Sequence, residues 1–119
     1  MKLSELIREG AKRYPIKETL YMFNEREING KNVIGCCAIG AARLAVMEFP
    51  ESLKGFDTYE AIWRLKGHIG YDIDSEVPEL ELLQDGSNFV SLRSWIINAN
   101  DRLCWSREAI ADELERVGL

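Results

Sequence analysis

Trp105-Ser106-Arg107-Glu108-Ala109-Ile110-Ala111-Asp112-Glu113-Leu114-Glu115-Arg116-Val117-Gly118 carries the full local grammar of a helix. Ser106 is an N-cap whose hydroxyl can take a first-turn amide. Glu108 puts negative charge at the positive end of the helix dipole. Trp105 before the cap and Ile110 at the fourth helical position have the spacing of a hydrophobic staple. Ile110, Ala111, Leu114 and Val117 then recur at helical period, and Gly118 supplies the stop. A chain that ends this way needs other helices against which to bury the stripe.

Working outward, residues 89–100 read as a helix with Leu92, Trp95, Ile96 and Ile97 on or beside its buried face. Only a few residues separate it from the last helix, so the two form an antiparallel or angled hairpin. Residues 5–13 read as the first helix, capped by Ser4, striped by Leu3, Leu6, Ile7 and Ala11, and stopped by Pro15. Residues 37–48 form a second, closed by Phe49-Pro50. Its start is unusually small, with Ala38, Gly40, Ala41 and Ala42. A glycine inside a helix costs about 1 kcal/mol relative to alanine, so close approach of another helix or a strand should offset it. A third helix opens at Asp57 with Glu60 in capping-box position, buries Ala61, Ile62 and Leu65, and ends at Gly67. Thr19-Leu20-Tyr21-Met22-Phe23 reads as a strand, Asn29-Gly30 as a hairpin turn, and Asn32-Val33-Ile34 as its return. Residues 71–88 are acidic and irregular, with Pro78 and the turn Asp85-Gly86-Ser87-Asn88. The expected fold is mainly α: one domain over residues 1–119, a compact bundle of four or five helices, with a small β-hairpin near residues 19–34.

Composition narrows the class. The chain has 119 residues, 46% of them hydrophobic, with three Trp, four Phe and four Tyr. A domain of this size buries roughly two-thirds of its unfolded surface and needs no staples. The stretch Met1-Lys2-Leu3-Ser4-Glu5-Leu6-Ile7-Arg8-Glu9 is broken by charge, whereas a secretory signal needs roughly 7–15 apolar residues in a row. No run approaches the roughly 20 apolar residues that span a bilayer. Three cysteines, an odd number with Cys36 and Cys37 adjacent, suit a reducing compartment. The expected location is the cytoplasm. Net charge is −5, distributed as +2 over residues 1–54 and −7 over residues 55–119. An acidic chain does not collect phosphates, which disfavours direct nucleic-acid binding through a basic patch.

Two blocks carry a resemblance. Gly35-Cys36-Cys37-Ala38-Ile39-Gly40-Ala41-Ala42 is similar to a Cys-Ala-Leu-Gly-Ala-Ala block of small uncharacterised bacterial and prophage proteins. In those proteins a second block follows near the C-terminus, matched here by Asn100-Asp101 and Trp105-Ser106-Arg107-Glu108-Ala109-Ile110-Ala111-Asp112. Together the blocks span about a fifth to a quarter of the chain. The doubled cysteine, and Asn98-Ala99 before Asn100, depart from the pattern. What the resemblance implies is a phage or mobile-element setting, not a mechanism. Physically, Cys37, Gly40, Asn100, Asp101 and Ser106 read as structural: a close-packed helix start, a residue tolerant of the left-handed conformation that ends a helix, an acceptor for turn amides, and a cap.

Catalytic chemistry competes with that reading. Cys36 or Cys37 at a helix start could be a thiol nucleophile, with His68 as base and Asp101 as orienting group. Apolar flanks argue instead for a buried thiol. Cys36, Cys37, Cys104 and His68 could be imagined around zinc, yet there is no Cys-x-x-Cys pair and adjacent cysteines are awkward tetrahedral ligands. Asp72, Asp74 and Glu76 alternate, so on a strand they would share one face and could hold a hard cation. Val77, however, stands where a calcium loop requires glycine. Residues 106–111 resemble the first helix of a helix-turn-helix, and the residues after Gly118 are too few for a recognition helix.

These readings converge on a non-enzymatic accessory protein of phage or prophage type that binds a host protein and modulates it; inhibitors of host defence are among such proteins. The expected contact surface is Asp72, Asp74, Glu76, Glu79 and Glu81, facing a basic patch on the partner. No metal, cofactor or membrane is called for, and a homo-oligomer is compatible with this reading. A second reading is a sponge for a small molecule or nucleotide, with Arg43, Arg93 or Arg102 at the mouth of a pocket. A third is a Cys-dependent enzyme.

Overall fold

A computed structural model describes residues 1–47, 58–77, 80 and 91–119. The element order is α1 (Leu3–Arg13), β1 (Phe23–Ile28), β2 (Lys31–Cys36), α2 (Ala38–Ala45), α3 (Thr58–Ile69), α4 (Leu92–Ile97), a five-residue π-helical turn (Asn98–Arg102) and α5 (Arg107–Arg116). Among the described residues the architecture is mainly α, five helices packed around a main apolar cluster, with a small antiparallel hairpin and a second, smaller cluster beside it.

Helix α1 is the hub. Leu3, Leu6 and Ile7 are buried on one stripe and join Ala38, Ile39 and Ala42 of α2 and Ile110, Ala111 and Leu114 of α5 in a single cluster. Its approach to α2 is close: a β-carbon on Gly10 would lie 1.8 Å from the Ala41 carbonyl oxygen. On the other side of α2 a β-carbon on Gly40 would lie 2.1 Å from the Met22 carbonyl oxygen. The run of small residues in α2 is thus occupied by backbone from both sides. Outside the core, Arg8 of α1 reaches three carboxylates of α5, Glu108 at 3.0 Å, Asp112 at 2.6 Å and Glu115 at 3.0 Å.

The ends of the elements differ from expectation in informative ways. Helix α1 begins at Leu3 with Lys2 at the cap position, not Ser4. Ser4 is buried inside the first turn, and its amide donates to the Leu119 carbonyl at 3.1 Å. Glu5 accepts from the Lys2 amide at 3.3 Å, half of a capping box. Helix α2 starts one residue later than expected because Cys37 is its cap, and it ends at Ala45; Glu48 and Phe49-Pro50 lie outside the described residues. Helix α3 runs through Gly67, whose surroundings are open, and stops before Gly70, whose φ is +84°. Its expected cap, Asp57, lies outside the described residues. Helix α4 is capped by Ser91, which accepts from the Ser94 amide at 3.1 Å. Helix α5 has the expected cap, Ser106 accepting from the Ala109 amide at 3.0 Å.

The hairpin turns at Asn29-Gly30, with φ of +53° and +77°, the pair of positive values a two-residue turn demands. Its first strand is Phe23–Ile28, paired in register from Phe23 opposite Cys36 to Ile28 opposite Lys31. The apolar run at 19–23 is therefore not the strand. Residues 16–18 instead run beside the end of β2, with the Glu18 amide donating to Cys36 O at 3.1 Å and the Cys36 amide to Ile16 O at 3.0 Å.

Candidate functional site

Where the two motif blocks meet, α4 loosens into the π turn and places Asn100 against the first turn of α2. Asn100 is 1% exposed. Its Oδ1 accepts from the Ala38 amide at 3.2 Å, and its Nδ2 donates to the Glu18 carbonyl at 2.8 Å and to Asp101 Oδ1 at 2.7 Å. The left-handed position expected at Asn100 falls at Cys104 instead, φ +54°. Cys37 Sγ accepts from the Gly40 amide at 3.4 Å. At the first residue of α5, buried Arg107 donates to the Tyr14 carbonyl at 2.7 Å and to Cys36 O and Sγ at 3.4 Å. Asn100 and Arg107 thus clasp the second block onto the first.

This junction does not activate its thiols. Burial pushes the Cys36 thiol up to about 12, against the opposing pull of Arg107. Burial also raises the Cys37 thiol. At Cys37 the amides of Gly40 and Ile39 pull the other way but do not outweigh burial, and the Ala38 amide is already taken by Asn100. A cavity of about 220 Å³ borders the junction, lined by Tyr21, Met22, Cys37, Ile97 and Asp101 among others. The third cysteine, Cys104, is exposed. Among the described residues no group of three His, Cys, Asp or Glu side chains is placed to hold a metal ion.

The acidic segment takes a different form from the strand considered above. Residues 71–77 make turns, so Asp72, Asp74 and Glu76 do not line one strand face. Asp72 Oδ1 accepts from the Asp74 amide at 2.9 Å, while its Oδ2 lies 4.0 Å from Lys66 Nζ. Asp74 pairs with Arg93 at 2.8 Å. Glu76 is exposed. Glu79 and Glu81 lie outside the described residues. Beside these carboxylates α3 displays Tyr59 and Trp63, one turn apart and 82% and 72% exposed. Tyr59, Ile62, Trp63, Asp72, Asp74 and Arg93 share a shallow depression of about 220 Å³. Sequence reasoning passed over Tyr59 and Trp63, although helical phase could have found them: they fall opposite the stripe of Ala61 and Leu65.

On the α2 side of α3 lies a larger groove of about 770 Å³, lined by Arg43, Met47, Trp63, Arg64, Lys66 and His68 among others. Of the three arginines named for a pocket mouth, Arg43 lines this groove and Arg93 the two smaller cavities. Arg43 is only 8% exposed, and its Nε is shut off from water with no hydrogen-bond partner. Burial lowers its pKa, as does the charge of Arg64, while Glu60 pulls the other way. Glu60 is itself engaged by Arg64, at 2.7 and 2.8 Å.

No family model, curated protein or solved structure matches the chain. Among the described residues no helix is long and apolar enough to cross a membrane.

Proposed function

We propose that the chain is a non-enzymatic accessory protein of phage or prophage type that works in the host cytoplasm by binding a host protein and altering its activity, a defence protein being one such target. The observation that carries this reading is the pair Tyr59 and Trp63, held almost bare on a helix whose other face is buried. Large aromatic side chains each offer about 150–250 Å² for burial, and Tyr and Trp dominate the energetically decisive positions of protein interfaces. The adjoining Asp72, Asp74 and Glu76, in a part of the chain carrying −7, call for a basic partner surface. A cation on that partner would exchange with Arg93 at Asp74 and find Glu76 free of any described ion pair. Raised thiol pKa values at Cys36 and Cys37 favour this reading over a thiol-dependent enzyme.

The test is capture from host lysate with the tagged full chain, followed by titration of the purified partner against Tyr59→Ala/Trp63→Ala and Asp72→Lys/Glu76→Lys. Loss of roughly 2 kcal/mol or more in the aromatic variant is the expected hot-spot signature. The charge variant should slow association and flatten its salt dependence. A partner bound equally well by both variants overturns the assignment of this surface.

A further inference from the structure

We propose that the groove between α2 and α3 is a binding site for a small phosphorylated ligand with a planar ring, a mononucleotide in chemical class. The argument starts with Arg43. A guanidinium is always charged in a protein, and a buried charge is normally paired. Arg43 is buried, yet among the described residues no carboxylate pairs with it, and its Nε lacks an acceptor. The carboxylate it feels, Glu60, is committed to Arg64. No described residue supplies its counter-charge, and a bound anion would.

The surroundings say what kind of anion would serve. Arg64, Lys66 and His68 border the same groove, and Lys66 stands 4.0 Å from Asp72, a loose pairing that an incoming anion can displace. Guanidinium groups match phosphate oxygens in a planar, bidentate fashion. A bare phosphate would leave most of the roughly 770 Å³ empty, and that volume falls in the range of small-molecule sites. Val46 and Met47 supply apolar lining, and Trp63 supplies an exposed ring on which a flat heterocycle can stack. A long nucleic acid is a poorer fit, because beyond this groove the net −5 of the chain repels its phosphates. The site has no described nucleophile or metal cluster beside it, so what it would do is hold the ligand and lower its free concentration.

The experiment is calorimetric titration of the full chain with AMP, adenosine and inorganic phosphate, with tryptophan emission followed in parallel. Trp63 is the only strongly exposed one of the three indoles, so stacking should quench the solvent-exposed component. Saturable one-to-one binding of AMP is expected, weakened roughly tenfold or more by Arg43→Met and by removal of either half of the ligand. Arg43→Lys should recover part of the affinity. Should Arg43→Met unfold, Arg64→Gln/Lys66→Gln at exposed positions provides the same test. No binding of AMP to the wild type, or binding indifferent to all these variants, overturns the proposal. Phosphate binding as tightly as AMP overturns its ring, and a single-stranded oligonucleotide binding more tightly than AMP overturns the small-ligand class. Failure here is separable from failure of the protein-partner reading, since Arg43→Met leaves Tyr59, Asp72 and Glu76 untouched and should not affect capture of a host protein.

Discussion

Replacing Asn100 by alanine tests whether the junction between the two motif blocks holds the fold together. The carboxamide makes three hydrogen bonds, to the Ala38 amide, the Glu18 carbonyl and the Asp101 carboxylate. Two of these partners are backbone groups in the interior, where an unmade bond costs about 1–3 kcal/mol each. Loss of the amide also opens a small void beside α2. A total of about 3–5 kcal/mol follows, a large share of the 5–15 kcal/mol that typically stabilises a domain of this kind. For a chain of this length each kilocalorie moves the melting temperature by about 4 °C, so Asn100→Ala should melt roughly 12–20 °C lower. Urea unfolding followed by circular dichroism gives the free energy directly, and an unchanged m value would place the effect in the native state. Asn100→Asp sharpens the test. It keeps an acceptor for Ala38, loses the donor to Glu18 and sets a second carboxylate beside Asp101, so at neutral pH it should be at least as damaging as alanine. A loss below about 1 kcal/mol for Asn100→Ala would mean that water replaces the amide without penalty, and the clasp would lose its claim to specify the fold.

Three further outcomes follow from the same geometry. Gly10→Ala drives a β-carbon to 1.8 Å from the Ala41 carbonyl and must push α1 off α2; a loss of about 3 kcal/mol or more is expected by chemical denaturation, and a neutral result would refute the close crossing. Because burial holds the Cys36 thiol at about 12 against its ordinary 9.0, the unfolded chain releases that proton first. Stability is then full below pH 9 and falls as pH rises toward 12, by up to about 1.4 kcal/mol per pH unit for one group. Cys37, Tyr14 and Tyr71, also raised by burial, act in the same direction. Cys36→Ala should flatten the slope between pH 9 and 11, and a thiol reagent at neutral pH should find one fast cysteine, Cys104; an unaltered slope or three fast thiols would contradict this. Finally, the hydrogen bonds from Arg26 hold the Glu18 carboxyl below its ordinary 4.5, so their stabilisation is present above that value and is lost as pH falls through the folded one. Arg26→Gln should move the acid-unfolding midpoint to higher pH, and an unmoved midpoint would show that the pair adds nothing.

Helix α5 was legible because all its signals are local: cap, staple, period and stop lie within Trp105 to Gly118. The turn at Asn29-Gly30 was legible for the same reason, its positive φ angles being written into two residues. Strand β1 was not. Asn24, Glu25, Arg26 and Glu27 carry no alternation of apolar and polar residues, because most of the strand is exposed and its order comes from pairing with β2. Ser4 misled because its amide partner is Leu119, far along the chain, and Gly67 misled because an exposed glycine is tolerated inside a helix that a later glycine ends. The groove around Arg43 was named only as one arginine among three. Its other cations come from α3, and only the packing of α3 beside α2 brings them together.

The two motif blocks combine a cysteine, an asparagine and an aspartate, residue types that also build catalytic sites. In the fold each has a structural partner: Cys37 caps α2, Asn100 closes the gap between α2 and Glu18, and Asp101 accepts from Asn100. A residue whose bonds are satisfied internally and whose proton is held by burial has little left to offer a substrate. Helix α3 presents the reverse case. Tyr59 and Trp63 are 82% and 72% exposed, Glu76 has no described ion pair, and no described carboxylate pairs with the buried Arg43 behind them. Folding stability gains nothing from leaving aromatic area in water or a guanidinium unpaired, and both defects are removed when something binds. The pattern of unmet physical requirements, more than the pattern of eye-catching residues, therefore directs the first binding experiments to the two sides of α3.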